Sequence, residues 1–157
     1  MAIGLSRFTV GLFSGLRNSW FKGDNMPPTT AEWPWTHFSR GEMTCKCGCG
    51  CADMDPDFMD LLERLRFECG DLPMTINSGY RCPDHNERAS TSGRDGAHTT
   101  GRAVDIACSG KRQEQIQKVA KSLGCTGFGN EHGFLHIDNL TVADGPKWRV
   151  RPNSWKY

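Results

Sequence analysis

His98 and Asp105 stand in the stretch Gly96-Ala97-His98-Thr99-Thr100-Gly101-Arg102-Ala103-Val104-Asp105-Ile106, with the small residues Gly101 and Ala103 between them. Small residues there let a loop turn tightly into a strand. A neutral imidazole and a carboxylate are two of the three protein donors that a catalytic Zn²⁺ needs, the fourth position being left for water. The run Phe134-Leu135-His136-Ile137-Asp138 supplies a second histidine for the third place. One catalytic zinc held by His98, Asp105 and His136 is therefore the expected cofactor. Asp105 lies between Val104 and Ile106, so its neighbours point to a core, and a buried carboxylate is costly unless paired or bound to metal. His136 and Asp138 share one side of their strand because side chains alternate, which casts Asp138 as an acceptor that orients a histidine rather than as a direct ligand.

The elements that must position these residues read in order along the chain. Asp55-Pro56 opens a helix, with Pro in its first turn and Phe58, Leu61, Leu62 and Leu65 on one face, that ends near Cys69-Gly70. Residues 73–77 form a short strand that delivers Ser78-Gly79-Tyr80-Arg81 to a turn. Residues 82–97 are polar and contain glycine, with one helical turn around 84–88, and long loops of this kind commonly form sites. A strand follows at 103–108, and Ser109 is placed to cap a helix over 110–123, with Ile116, Val119, Ala120 and Leu123 inward and Gly124 as its stop. Residues 126–130 and 134–138 read as two strands joined through Glu131-His132-Gly133 in a hairpin-like connection. This order suits an α+β fold, a small antiparallel sheet with flanking helices around the zinc site.

The chain of 157 residues is long enough to bury a core without disulfides. Residues 1–22 read as an amphipathic helix, since Leu5, Phe8, Leu12, Leu16 and Trp20 recur at helical spacing with Arg7 and Arg17 toward the other side. That helix either packs on its own domain or docks onto a partner chain or membrane surface. Residues 23–36, with Pro27, Pro28 and Pro34, read as a linker, 37–141 as the zinc domain, and 142–157 as a tail rich in Trp and Arg. With 19 basic against 18 acidic residues there is no electrostatic case for a nucleic-acid partner. No apolar run reaches the roughly 18 residues of a membrane span. Residues 1–10 carry a single positive residue, Arg7, and no continuous apolar stretch, so no signal peptide is expected.

Eight cysteines are present, four of them (Cys45, Cys47, Cys49 and Cys51) at alternate positions of one segment. If that segment is extended, all four share a face, a poor geometry for pairing with one another. Free or partly bridged cysteines in a structural loop, a bridge to a distant partner such as Cys82, and a metal bound by thiolates all stand as readings.

The pattern H-x-x-G-x-A-x-D followed by an H-x-D strand resembles the zinc D-Ala-D-Ala carboxypeptidases and their phage endolysin relatives. These share a fold with lysostaphin-type peptidases and the Sonic hedgehog signalling domain. Three further segments match in order: Cys45-Lys46-Cys47-Gly48-Cys49, Ser78-Gly79-Tyr80-Arg81-Cys82-Pro83, and His85-Asn86, so the resemblance runs from about Phe38 to about Asp138. It implies contact between the Cys-rich segment and Cys82, which the family's segments often carry together. It implies that Arg81 lies near the zinc and binds a carbonyl or carboxylate of the substrate, a role suited to a guanidinium fork, with Ser78 beside it and Asn86 shaping the loop. His85, next to Asn86 in a turn, is read as structural, and His37 has no motif around it.

Relatives place a proton-transferring carboxylate shortly before the last histidine. Here Gly133 occupies the position that many members use, and Glu131 is taken as the catalytic base, with His132 and Asp138 as the other candidates. The expected activity is zinc-dependent cleavage of a peptidoglycan peptide, of D,D-carboxypeptidase, D,D-endopeptidase or L-alanyl-D-glutamate type. The expected setting is a phage-encoded wall hydrolase, in a virion or in the host cytoplasm with access to the wall. The alternative is a zinc-containing but non-hydrolytic module of a virion or other assembly, docked through residues 1–22.

Overall fold

The computed structural model describes residues 33–148 and 150–156. The helix read over 1–22 and the linker up to residue 32 lie outside them. The last part of that linker is held in place: Trp33 donates from Nε1 to the Phe38 carbonyl at 2.6 Å, and Trp35 donates to Asp60 Oδ1 at 2.8 Å.

A short helix, α1 (Arg40–Met43), forms because Ser39 and Glu42 cap each other's backbone N–H groups. Helix α2 (Pro56–Glu68) starts where expected, with the Asp55 carboxylate accepting from the Phe58 N–H at 2.9 Å and Pro56 in the first turn. Strand β1 (Ile76–Ser78) follows, then α3 (Pro83–Ala89), longer than the single turn read from sequence. Strand β2 (Ala103–Ala107) leads to α4 (Gly110–Ser122), and β3 (Gly127–Glu131) and β4 (Phe134–Asp138) form the expected hairpin around a two-residue turn. Ser109 takes the cap position of α4, but its side chain makes no capping hydrogen bond.

The tail supplies a strand that the sequence did not reveal, β5 (Asn153–Lys156). The strands lie in the order β1-β2-β4-β3-β5, antiparallel except for β5, which runs parallel to β3. The fold is α+β as read, and its sheet is mixed rather than wholly antiparallel. β5 escaped detection because it is a largely exposed edge strand with no alternation of apolar and polar residues.

Alternation gives the sheet two unlike faces. Val104, Ile106, Phe128, Leu135 and Ile137 leave one face and pack with Phe58, Leu62 and Leu65 of α2 and Ile116 and Ala120 of α4. Asp105, His136 and Asp138 leave the other. On that second face Gly127 opposes Asp138, and a Cβ at Gly127 would overlap the Asp138 carboxylate.

Gly101 closes the turn that carries His98. Its φ is +72°, and a Cβ there would meet the backbone of Met54 at 3.0 Å and of Asp55 at 2.8 Å. Gly101→Ala should therefore cost more than the roughly 1–2 kcal/mol that a left-handed residue costs on its own. Gly124→Ala, also at positive φ but facing open space, should cost only about that strain. Urea denaturation of the two variants beside the parent checks the difference, and equal losses would show that the contact with residues 53–55 yields freely.

Candidate metal centre

Strand register sets the centre: β2 and β4 pair with Asp105 directly opposite His136. The single helical turn Ala97–Thr100 then swings His98 over the same face. His98 Nδ1 lies 2.7 Å from the Gly79 carbonyl, which can only accept, so Nδ1 carries the hydrogen and Nε2 is left as an acceptor. That Nε2 faces Asp105 Oδ1 at 3.2 Å. His136 has the opposite arrangement. Its Nε2 faces Asp138 Oδ2 at 3.3 Å and its Nδ1 lies 2.9 Å from the same Asp105 Oδ1.

With His136 donating to Asp138, three acceptor atoms converge with no hydrogen between them: His98 Nε2, Asp105 Oδ1 and His136 Nδ1. All three residues are buried and their ligand atoms lie within 4.8 Å of one another. Acceptors this close in a dry site repel unless a positive centre sits among them, so the donor set fits a divalent cation.

The surrounding contacts orient that set. Arg81 donates to Asp105 Oδ2 at 2.7 Å and to Ser78 Oγ at 2.9 Å, which turns the other carboxylate oxygen toward the histidines. Asp138, fully buried, accepts from Arg151 at 3.2 and 2.5 Å and from the Leu140 N–H at 3.2 Å. Burial holds His98 below its ordinary pKa despite the nearby Asp105. Burial presses on His136 too, but hydrogen bonds to Asp105 and Asp138 outweigh it and raise this imidazole. The two carboxyls are pushed up by burial and more than restored by their partners, the imidazoles for Asp105 and His136 with Arg151 for Asp138, so both sit below the usual carboxylate range.

A cavity of about 270 Å³ opens from His98 and His136, with Arg81, Asn86, Lys147, Trp148, Arg151 and Trp155 among its walls. Asn86 staples the loop above it, donating to Ser92 Oγ at 2.9 Å and the Gly93 carbonyl at 2.5 Å. Glu131 and His132 are not in its lining. They border a separate hollow with Gln113, Asn130 and Lys156, and the Glu131 carboxylate accepts from the His132 N–H at 2.9 Å. Glu131 pairs with Phe134 two positions from the Gly129–His136 pair, so it leaves the sheet on the site face but at the hairpin end. The sequence reading missed the tail: Lys147, Trp148, Arg151 and Trp155 all reach this site, and only the local enrichment in Trp and Arg hinted at it. It also missed the pairing of Arg81 with Asp105. His85 stands apart from this centre, its Nδ1 3.2 Å from Cys45 Sγ.

Two imidazoles and one carboxylate open to a cavity match the donor set of a catalytic rather than a closed structural metal centre, and the class of protein this points to is a metalloenzyme. The family model for Peptidase M15 matches residues 36–138. The chain belongs to that family of zinc-dependent metallopeptidases. No curated protein matches the chain.

The raised pKa of His136 has a measurable consequence. Below that pKa the metal-free site holds a proton on His136, which an incoming cation must displace. Zinc affinity at this centre should therefore rise with pH through the folded pKa, and the proton that His136 releases per zinc bound here should fall toward zero above it. Calorimetric titration of the parent and of His98→Ala in buffers of different ionisation enthalpy reads that release as the difference between the two. Asp138→Asn should weaken zinc by about 10- to 100-fold, because the partner that sets the ring's orientation is lost.

Proposed function

We propose that the protein hydrolyses a peptide bond in the stem or crosslink of bacterial peptidoglycan. The observation that carries this reading is the character of the cavity beside the metal centre: among the described residues, Arg81, Lys147 and Arg151 stand in its walls and no carboxylate does. Such a surface suits a peptide dense in carboxylates, and cell-wall stem peptides carry them on side chains and at the terminus. Trp148 and Trp155 offer apolar faces for the short side chains between.

In this reading His98, Asp105 and His136 hold one zinc and Asp138 keeps His136 in the tautomer that presents Nδ1. A zinc held there would supply a Lewis acid for the scissile carbonyl and lower the pKa of water at the site. Arg81 holds Asp105 and offers the rest of its guanidinium fork to a substrate oxygen, with Ser78 fixing the guanidinium's position. Glu131 carries the proton from the attacking water to the leaving amine. Among the described residues it is the one carboxylate on the site face of β2, β3 and β4 besides Asp105 and Asp138, and those two are ionised and engaged by their partners. In this structure the Glu131 carboxylate accepts from the His132 N–H and borders a separate hollow, so the role requires it to move.

A second reading, a zinc-containing module that does not hydrolyse, is favoured by the absence of Glu131 and His132 from the cavity lining. Two variants separate the readings. His98→Ala should lose the zinc held at this centre together with cleavage of purified peptidoglycan, followed by mass analysis of the fragments. Glu131→Gln should keep the parent's metal content and lose about 10²- to 10⁴-fold in rate. If Glu131→Gln cleaves as fast as the parent, the proton carrier is another group. If the zinc-loaded parent cleaves no wall fragment across several peptidoglycan types, the module reading stands.

A further inference from the structure

The segment of alternating cysteines is not extended. Residues 46–49 make a tight turn, Gly48 and Gly50 take φ of +87° and +76°, and the Cys45 N–H donates to the Cys51 carbonyl at 2.8 Å to close the loop. The turn gathers the sulfurs of Cys45, Cys47 and Cys49 and brings them onto Cys82, at the start of α3, while Cys51 stays outside the group. Cys45 Sγ lies 3.4 Å from Cys47 Sγ, Cys47 Sγ lies 3.6 Å from Cys82 Sγ, and all four sulfurs fall within 4.8 Å of one another.

These separations discriminate between the ways cysteines pair. A disulfide needs about 2.05 Å. Four thiolates placed tetrahedrally about one ion at the usual Zn–S distance of about 2.3 Å lie about 3.8 Å apart, close to what is found. The backbone around the sulfurs is arranged for negative charge. Cys45 Sγ accepts from the Cys82 N–H at 3.3 Å, and Cys47, Cys49 and Cys82 have backbone hydrogen bonds from Cys49, Cys51 and His85 in turn. His85 Nδ1, 3.2 Å from Cys45 Sγ, is placed to donate to that sulfur from outside the set.

We propose that Cys45, Cys47, Cys49 and Cys82 form a second metal site, a closed thiolate centre that takes zinc and serves structure rather than catalysis. Binding releases a proton from each thiol and consumes no oxidant. The centre ties the loop after α1 to the segment that serves the hydrolytic centre. Cys82 directly follows Arg81, and the same segment provides the Gly79 carbonyl to His98 and bonds Tyr80 N–H to the Met43 carbonyl at 3.0 Å. The proposal is independent of which peptide the enzyme cleaves and of the proton carrier.

Protein purified under reducing conditions with zinc present should carry about two zinc ions per chain. His98→Ala should remove one and leave the other, whereas Cys47→Ser with Cys49→Ser should remove the one that His98→Ala leaves. Replacement of zinc by Co²⁺ in the parent should give intense near-ultraviolet sulfur-to-cobalt charge transfer and the visible bands of a tetrahedral ion, even if the serine variants fail to fold. Titration with a mercurial should release one zinc as the four cluster thiols, of the eight in the chain, are consumed. A reduced, zinc-saturated parent with a single metal that His98→Ala abolishes, a cobalt form with no sulfur charge transfer, or a Cys47–Cys82 bridge found by mass in the reduced preparation would each overturn the proposal.

Discussion

One carboxylate oxygen, Oδ1 of Asp105, faces both buried histidines, and the arrangement of the site face follows from keeping that oxygen ionised in a dry place. A buried carboxylate is tolerable only when surrounded by donors or cations. Arg81 meets its second oxygen, so the guanidinium both neutralises the charge and decides which oxygen points inward. The imidazoles then present acceptors to the first oxygen because each has another partner, a carbonyl for His98 and Asp138 for His136. A cation fulfils the arrangement, and in its absence a proton on His136 is the nearest substitute.

The next layer is equally constrained. Asp138 is wholly buried and survives as an anion because Arg151, from the far end of the chain, lies against it. Close approach of β3 depends on Gly127, where any side chain would displace the Asp138 carboxylate. The chain between β4 and β5 thus serves the chemistry of the site. It returns an arginine to the carboxylate that orients His136, and with Trp148 and Trp155 the tail builds one wall of the cavity. The opposite wall hangs on the segment from Ser78 to Cys82, which supplies the Gly79 carbonyl and Arg81 and runs into the cysteine cluster. A metal in that cluster would fix the wall by a second, independent route.

Much of this was legible in the residues themselves. The amphipathic spacing of Phe58, Leu62 and Leu65, the cap at Asp55, the β-rich runs around Asp105 and His136, and the glycine after Leu123 are local signals, and local physics decides helix, strand and stop. The fixed spacing of His98 and Asp105 with the later His136-x-Asp138 sufficed to nominate three donors and a supporting carboxylate, because alternation along a strand is a rule of covalent geometry. What separates two faces of a sheet is likewise written in the alternation of Val104, Asp105 and Ile106.

What tertiary structure alone decided were contacts between residues far apart in sequence, where pairing energy rather than propensity chooses the partner. No local signal says that Arg81 pairs with Asp105, that Arg151 pairs with Asp138, or that an exposed edge segment beginning at Asn153 runs parallel to β3. The direction of Glu131 belongs here too, since the hairpin turn places its carboxylate on the His132 N–H and outside the cavity lining. The cysteines make the same point: their spacing left free thiols, a bridge and a metal all open, and only the glycine-led turn that folds Cys47 and Cys49 back onto Cys82 brings four sulfurs within reach of one another, because sulfur chemistry depends on distances that a sequence does not contain.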